Sequence, residues 1–232
     1  MAAQTPSRVV GAGSILLALG LNVPYALLAV RFDYPAILRE PPEQILAAFA
    51  AGGASLVLTW YAFALAAILF VPVGLGLALG GGRVTRVPAL AVAAAILAAL
   101  AGLTQAMGLL RWTMVVPVLA ATPGSEGEFA LIHAFAGTAV GEHLGMLLTA
   151  AFLGTVAAIQ VAEGSRWLAS LGAVAAVAVG LGAMEGVAMA VGADGSAFGL
   201  AAIAGYLLLS LWLVGSGVVL LRGGAVRVAR LA

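Results

Sequence analysis

Residues 88–110 read PALAVAAAILAALAGLTQAMGLL, and this stretch decides the fold class because it contains no charged side chain. As an α-helix the stretch is about 35 Å long. The hydrocarbon core of a bilayer is only about 30 Å thick. The stretch therefore predicts a membrane-spanning helix.

Five further stretches have the same character, and the segments between them are polar or rich in Gly and Pro. The six predicted spans are residues 9–30, 54–79, 88–110, 129–160, 168–191 and 198–221. Backbone groups in lipid must form their hydrogen bonds internally, so the spans are helices. We therefore predict an all-α polytopic membrane protein with one six-helix domain over residues 1–232.

The composition excludes several classes of protein. Hydrophobic residues make up 64% of the chain and charged residues 8%, whereas soluble domains are about half apolar and a quarter charged. Ten basic residues against nine acidic ones provide no field to attract nucleic acid. The absence of Cys from the sequence excludes disulfides and thiolate metal sites.

The expected partners are the lipid bilayer and, as a hypothesis, a small-molecule ligand. No protein partner is identified.

The arginines are distributed unequally between the two sides of a six-span topology. One side carries Arg8, Arg83, Arg86, Arg166, Arg222, Arg227 and Arg230, and the other carries Arg31, Arg39 and Arg111. The side richer in arginine is expected to be cytoplasmic. This places both termini inside and the 32–53 loop outside.

The first outer loop, residues 32–53, has a pattern of its own. Asp33 suits a cap, and Pro42 suits the first turn of a helix. Ile45, Leu46 and Phe49 then share one face. We predict an amphipathic segment that lies on the outer surface and covers the ends of the spans like a lid.

Ionisable groups inside a membrane cost a few kcal/mol each and are functional candidates. Arg111 ends the third span, Glu142 and His143 lie in the fourth, and Glu185 lies in the fifth. Counting the rise along each helix places Arg111, Glu142 and Glu185 in the outer half. A buried carboxylate without a partner would take up a proton. We therefore predict that Arg111 pairs either with Glu142, if the polar faces of the third and fourth spans meet, or with an anionic group.

The two histidines limit the cofactors that the chain can hold. His133 and His143 are about 15 Å apart along one helix, so they cannot be the two axial ligands of one iron. A His–Met or single-His haem stays open, as does a zinc site made by His143, Glu142 and either Glu185 or His133. No cofactor is predicted, with haem and zinc kept as minor alternatives.

Each candidate also has a purely structural interpretation. The Arg111–Glu142 pair could brace two helices, His143 could donate to a backbone carbonyl, and His133 could lie at the interface. The aromatic residues Trp60, Tyr61, Trp112 and Trp167 are predicted to be interface anchors.

Three motifs together carry a family resemblance. They are Phe32-Asp33-Tyr34-Pro35 with Ile37-Leu38-Arg39; Leu110-Arg111-Trp112 with Val116-Pro117 and Leu119-Ala120; and Gly141-Glu142-His143-Leu144-Gly145. As a set they resemble the bacterial integral membrane family described as domain of unknown function 4386. The resemblance implies a six-helix protein of the bacterial inner membrane. It also implies that the outer loop with Asp33, Tyr34 and Arg39 belongs with Arg111 and Glu142-His143.

Three functional hypotheses follow. In the first, the protein binds or transports a small or lipophilic ligand in an outer-half pocket formed by Arg111, Glu142, His143 and Glu185 under the outer loop. In the second, the same residues serve a membrane-embedded redox or metal-dependent enzyme subunit. In the third, they brace a structural or assembly protein. No motif for a catalytic nucleophile is present, so no enzyme activity is predicted.

Overall fold

The computed structural model describes residues 4–223. Arg227 and Arg230, which contributed to the predicted orientation, lie outside the described residues. The α-helices are α1 (Gln4–Phe32), α2 (Pro42–Leu79), α3 (Arg83–Arg86), α4 (Pro88–Met114), α5 (Val116–Ala120), α6 (Glu126–Ile132), α7 (Gly145–Ala162), α8 (Arg166–Gly182), α9 (Glu185–Ala190) and α10 (Ser196–Leu221). A 3₁₀ helix spans Ala36–Arg39, and a π-helix spans His133–Leu144.

The long helices confirm the predicted fold class. Among the described residues, six helical stretches are long and apolar enough to cross a membrane: Ser7–Phe32, Pro42–Leu79, Pro88–Ala120, Glu126–Ala162, Arg166–Ala190 and Ser196–Leu221. The protein is thus an all-α, multi-pass membrane protein. Each span packs against the next along the chain, and α10 packs back against α1. The six spans therefore form a closed ring.

The second span begins outside the predicted membrane region and changes direction at one residue. Gly53 has φ 56° and ψ −155°, which is not helical, so it separates the loop portion of α2 from its spanning portion. A side chain at this φ would be strained, whereas glycine adopts it freely. Ile45, Leu46 and Phe49 on the loop portion are all buried. They form the apolar face that the sequence predicted for this segment.

Charged side chains close the side of the ring at which α1 begins and α10 ends. Glu163, in the α7–α8 turn, receives hydrogen bonds from Arg83 Nη2 at 2.6 Å and Nε at 2.9 Å. Arg86 Nη2 donates to the same carboxylate at 3.0 Å. Burial alone would raise the pKa of Glu163, but the two guanidinium groups outweigh it and hold the pKa below its ordinary value. Arg83, Arg86 and Glu163 form a clamp of three charges that joins the α2–α4 connection to the α7–α8 turn.

Two of the predicted interface anchors are wrong. Trp60 and Trp112 are fully buried, with 0% and 1% exposure, because they stack on each other inside the ring. Tyr61 and Trp167 are exposed. The predicted fifth span is also interrupted, since α8 ends at Gly182 and α9 begins at Glu185.

We predict that Glu163→Gln lowers the free energy of unfolding in detergent by about 1–3 kcal/mol, because charge-assisted hydrogen bonds are lost. The pKa of Glu163 is depressed in the fold, so the clamp stabilises the wild type above the ordinary carboxyl pKa. This contribution disappears as the pH falls through the lowered value. Thermal unfolding of both proteins across acidic pH measures the effect.

The matched control is Glu128→Gln, which removes an exposed carboxylate at the start of α6. It should leave the unfolding temperature unchanged. Equal losses in the two variants would contradict the role given to the clamp.

Candidate functional site

The loop after α1 covers the end of the ring opposite the clamp. Ile37 and Leu38 of the 3₁₀ helix are buried. The ring of Tyr34 meets Trp60 edge-on at 5.2 Å and Tyr25 edge-on at 5.4 Å. Burial, with the nearby Glu142 carboxylate, raises the pKa of the Tyr34 hydroxyl above its ordinary value. The apolar residues of this loop hold it against the helices. The loop, residues 33–41, forms a roof over this end of the ring.

An aromatic cluster supports the roof. Trp60 and Trp112 stack with their ring centroids 4.7 Å apart and their planes 10° apart. Phe32 stands edge-on to both of them. His133 also lies in this cluster, where it stacks on Phe129 at 5.3 Å. The cluster fixes the position of the α4 residue that precedes Trp112.

That residue, Arg111, is a buried cation, with 6% exposure. Its Nη1 donates to the carbonyl of Gly108 on the same helix, and its guanidinium lies 5.0 Å from the centre of the Trp112 ring. Its Nε has no hydrogen-bond partner among residues 4–223. The ion pairs found in this part of the chain involve Arg39, Arg83 and Arg86, and not Arg111.

The predicted pairing of Arg111 with Glu142 is therefore wrong. Arg39, from the roof, takes this carboxylate: its Nη2 lies 3.2 Å from Glu142 Oε2 and 2.9 Å from Glu185 Oε1. Burial alone would lower the pKa of Arg39, and the two carboxylates outweigh it and raise the pKa. One arginine from the loop thus links the fourth and fifth spans.

Both Gly137 and Glu142 lie in the π-helical part of the fourth span. The hydrogen bonds of a π-helix join residues five apart, a rare geometry that is concentrated at functional sites. Gly137, five residues before Glu142, lies against Arg111. A Cβ atom at position 137 would be only 2.5 Å from Arg111 Nη2.

The structure separates the remaining predicted site residues. His143 Nδ1 donates to the carbonyl of Ala183 at 2.7 Å, at the break between α8 and α9. Asp33 is exposed, with φ 50°. No group of three or more His, Cys, Asp and Glu side chains with metal-binding proximity occurs among the described residues.

A cavity of about 590 Å³ lies beneath the roof. Five of the predicted site residues line it: Tyr34, Arg39, Arg111, Glu142 and Glu185. His143 and Asp33 are not part of its lining. Most of the wall is apolar, and α10 contributes a long part of it from Ser196 to Ser210.

Sequence reasoning missed several wall residues. Tyr25 and Asn22 of α1, Tyr206 of α10, Trp60 and Trp112 all line the cavity. Asn22 and Tyr25 are polar groups three residues apart within a predicted span, which is a usable signal. Trp60 and Trp112 resemble interface anchors in sequence, and only their stacking distinguishes them.

Comparison with known proteins assigns the family. The model of the family described as "Domain of unknown function (DUF4386)" matches residues 9–217. The chain belongs to this family. The match to DUF4386 confirms the resemblance inferred from the three motifs, each of which lies within the matched residues. No curated protein and no solved structure matched the chain.

We predict that Gly108→Ala destabilises the protein by about 1–3 kcal/mol, because a Cβ there would lie 2.7 Å from the Gly141 backbone and force α4 away from the π-helix. Gly154→Ala is the control, since nothing lies within 4 Å of its Cβ position. It should be neutral or stabilising. The unfolding temperatures of the two variants in detergent measure the difference. Equal effects would contradict the close approach of α4 to the π-helix.

We also predict that Arg39→Gln loosens the roof with little loss of overall stability, since partly exposed ion pairs contribute about 0–1 kcal/mol. Hydrogen exchange of the Ile37 and Leu38 amides should become faster, while the unfolding temperature changes little. Arg31→Gln, an exposed change at the end of α1, should alter neither measurement. Unchanged exchange in Arg39→Gln would show that these ion pairs do not hold the roof.

Proposed function

We propose that this protein binds a small lipophilic ligand in the cavity beneath the roof. The single observation that carries the proposal is the cavity itself, about 590 Å³ and mostly apolar in its lining. Small-molecule sites are typically clefts of about 300–1,000 Å³ with apolar walls and a few convergent polar groups. Arg111, Glu142 and Glu185 are such groups.

The hydrogen-bond inventory favours a ligand over a purely structural brace. A brace would satisfy its own polar atoms, because an unpaired buried donor costs free energy. Within residues 4–223, the buried side-chain atoms without a hydrogen-bond partner belong to Trp60, Arg111, His133 and Ser216. Two of these residues, Arg111 through Nε and Trp60 through Nε1, bring their unpaired donors to the proposed site. Both residues line the cavity.

Binding is favoured over passage through a continuous pore. At the inner end of the cavity wall, Asn22 Nδ2 donates to Ser210 Oγ at 2.7 Å and joins α1 to α10. Beyond this bond the centre of the ring is filled by large apolar side chains such as Phe70, Phe152 and Trp212. This packing supports a site that opens towards one side of the membrane.

The distribution of arginine supports a location in the bacterial inner membrane with the cavity facing outwards. In the described part of the chain, Arg8, Arg83, Arg86, Arg166 and Arg222 lie on the side opposite the cavity. The positive-inside rule places that side in the cytoplasm. We propose that both termini are cytoplasmic.

The test uses the fluorescence of Trp60 and Trp112 at the cavity wall. Bromine quenches indole fluorescence at short range, so 9,10-dibromostearyl alcohol in phosphatidylcholine vesicles reports a lipophile inside the cavity. Trp167 is 57% exposed and would respond to probe in the bilayer, so all variants carry Trp167→Phe. Trp212 is fully buried and lies outside the cavity lining, so it contributes the same background to every variant.

We expect the alcohol to quench Trp60 and Trp112. Ile203→Phe, which fills part of the cavity, should reduce this quenching by about twofold or more. Leu211→Phe on the same helix is the control, because Leu211 is 60% exposed and lies outside the lining. Absence of quenching, or an equal response in both variants, would refute the proposed function.

A further inference from the structure

We infer that the ligand is an anionic amphiphile whose negatively charged head pairs with Arg111 and whose apolar tail leaves the cavity between α1 and α10 into the bilayer. The inference rests on the proposed function and specifies the chemical class of the ligand and its route.

The negative charge of the ligand's head group is inferred from how the charged side chains around the cavity are paired. Arg39 is shared by two carboxylates, those of Glu142 and Glu185. Arg111 makes no ion pair with any described residue, although it is 94% buried, and one of its donors is unpaired. A buried cation of this kind requires a counter-charge. An anion in the cavity would supply it.

The surroundings of Arg111 hold its guanidinium in place at the cavity wall. Trp112 lies against it at 5.0 Å, and the absence of a side chain at Gly137 leaves the space that the guanidinium fills. A planar guanidinium presents its donors as a fork that matches a carboxylate or a phosphate. A head of either kind is the shared chemistry that the site would recognise.

The tail route is indicated by residues that belong to the cavity wall and to the outer surface of the ring at once. Leu200 and Leu207 of α10 line the cavity and are nevertheless 68% and 52% exposed. They lie about 10 Å apart along the helix. Leu207 is about 16 Å from the start of α10 at Ser196, which is a depth within the hydrocarbon core. The cavity thus has an apolar opening at the level of the lipid tails.

The same two helices are in contact towards the opposite side of the membrane. A Cβ atom on Gly11 would lie 2.9 Å from the carbonyl oxygen of Gly217, so α1 and α10 touch there through their backbones. The Asn22–Ser210 hydrogen bond follows along the same seam. The opening therefore begins beyond this bond and extends towards the roof, where the head would lie.

The test compares two probes that differ in the head alone, in the Trp167→Phe background. 9,10-Dibromostearic acid, at an alkaline pH that ionises it, should quench Trp60 and Trp112 at a membrane concentration about tenfold lower than the matching alcohol. If the alcohol quenches equally well, the anionic head is refuted and the lipophilic cavity stands. If neither quenches, the proposed function fails as well.

Arg111→Met should abolish the advantage of the acid while the alcohol still quenches, and its unfolding temperature in detergent establishes that the variant is folded. Retention of the advantage in this variant would overturn the assignment of the head. If Arg111→Met does not fold, the two-probe comparison decides the question. Displacement of the acid by millimolar inorganic phosphate or acetate would show a site for free anions and refute the amphiphile.

The rate of quenching tests the proposed tail route between α1 and α10. After rapid mixing, quenching by the acid should develop about tenfold more slowly in a Leu200→Phe/Leu207→Phe variant, because larger side chains obstruct the opening. Leu211→Phe, outside the opening on the same helix, should leave the rate unchanged. Equal rates in all three proteins would exclude passage between α1 and α10.

Discussion

Hydrocarbon offers no hydrogen bonds, so each polar group within the spans has to find a partner inside the ring of helices. Most do: Gln105 donates to Thr149 at 2.6 Å, and Trp212 donates to Gln160 at 3.1 Å. Arg111 departs from this rule in the described part of the chain, because its buried charge has no carboxylate in contact and its Nε has no hydrogen-bond partner. Trp60 Nε1, both ring nitrogens of His133 and Ser216 Oγ are also buried without a partner among these residues. The aromatic cluster, the cavity and the glycine-rich face of the fourth span are all arranged around this one cation.

The π-helix of the fourth span connects the backbone to this arrangement. It carries both Gly137, which lies against Arg111, and Glu142, which pairs with Arg39 of the roof. Gly108 and Gly141 then let α4 approach the π-helix closely. The roof is thus tied by Arg39 to the fourth and fifth spans, and the cation beneath it stays free of both carboxylates. A cavity that presents an unpaired guanidinium is the consequence.

Much of the architecture could be predicted from the sequence. Apolar runs of bilayer length identify spanning helices with no knowledge of their neighbours, and Gly53 falls where the predicted outer loop meets the second span. Five of the seven proposed ligand residues do line one cavity. Arg111, Glu142 and Glu185 could be found because ionisable groups are rare in spans and depth along a helix brings them to one level. Tyr34 and Arg39 lie in the outer loop and were added by the family resemblance.

The pairing of these charges could not be predicted, because it depends on rotation about each helix axis. Depth along each helix brought Arg111 and Glu142 to one level, but it could not show that Arg39 of the outer loop takes the Glu142 carboxylate. The burial of Trp60 and Trp112 could not be predicted either, because tryptophan in a membrane protein is typical of interface anchors. Their stacking on each other is visible only in the tertiary structure. The sequence alone determined which segments lie in the membrane and how deep each polar group lies, since both depend on length and hydrophobicity. Only the tertiary structure decided which charges meet and where space remains, since both depend on how six helices are turned towards one another.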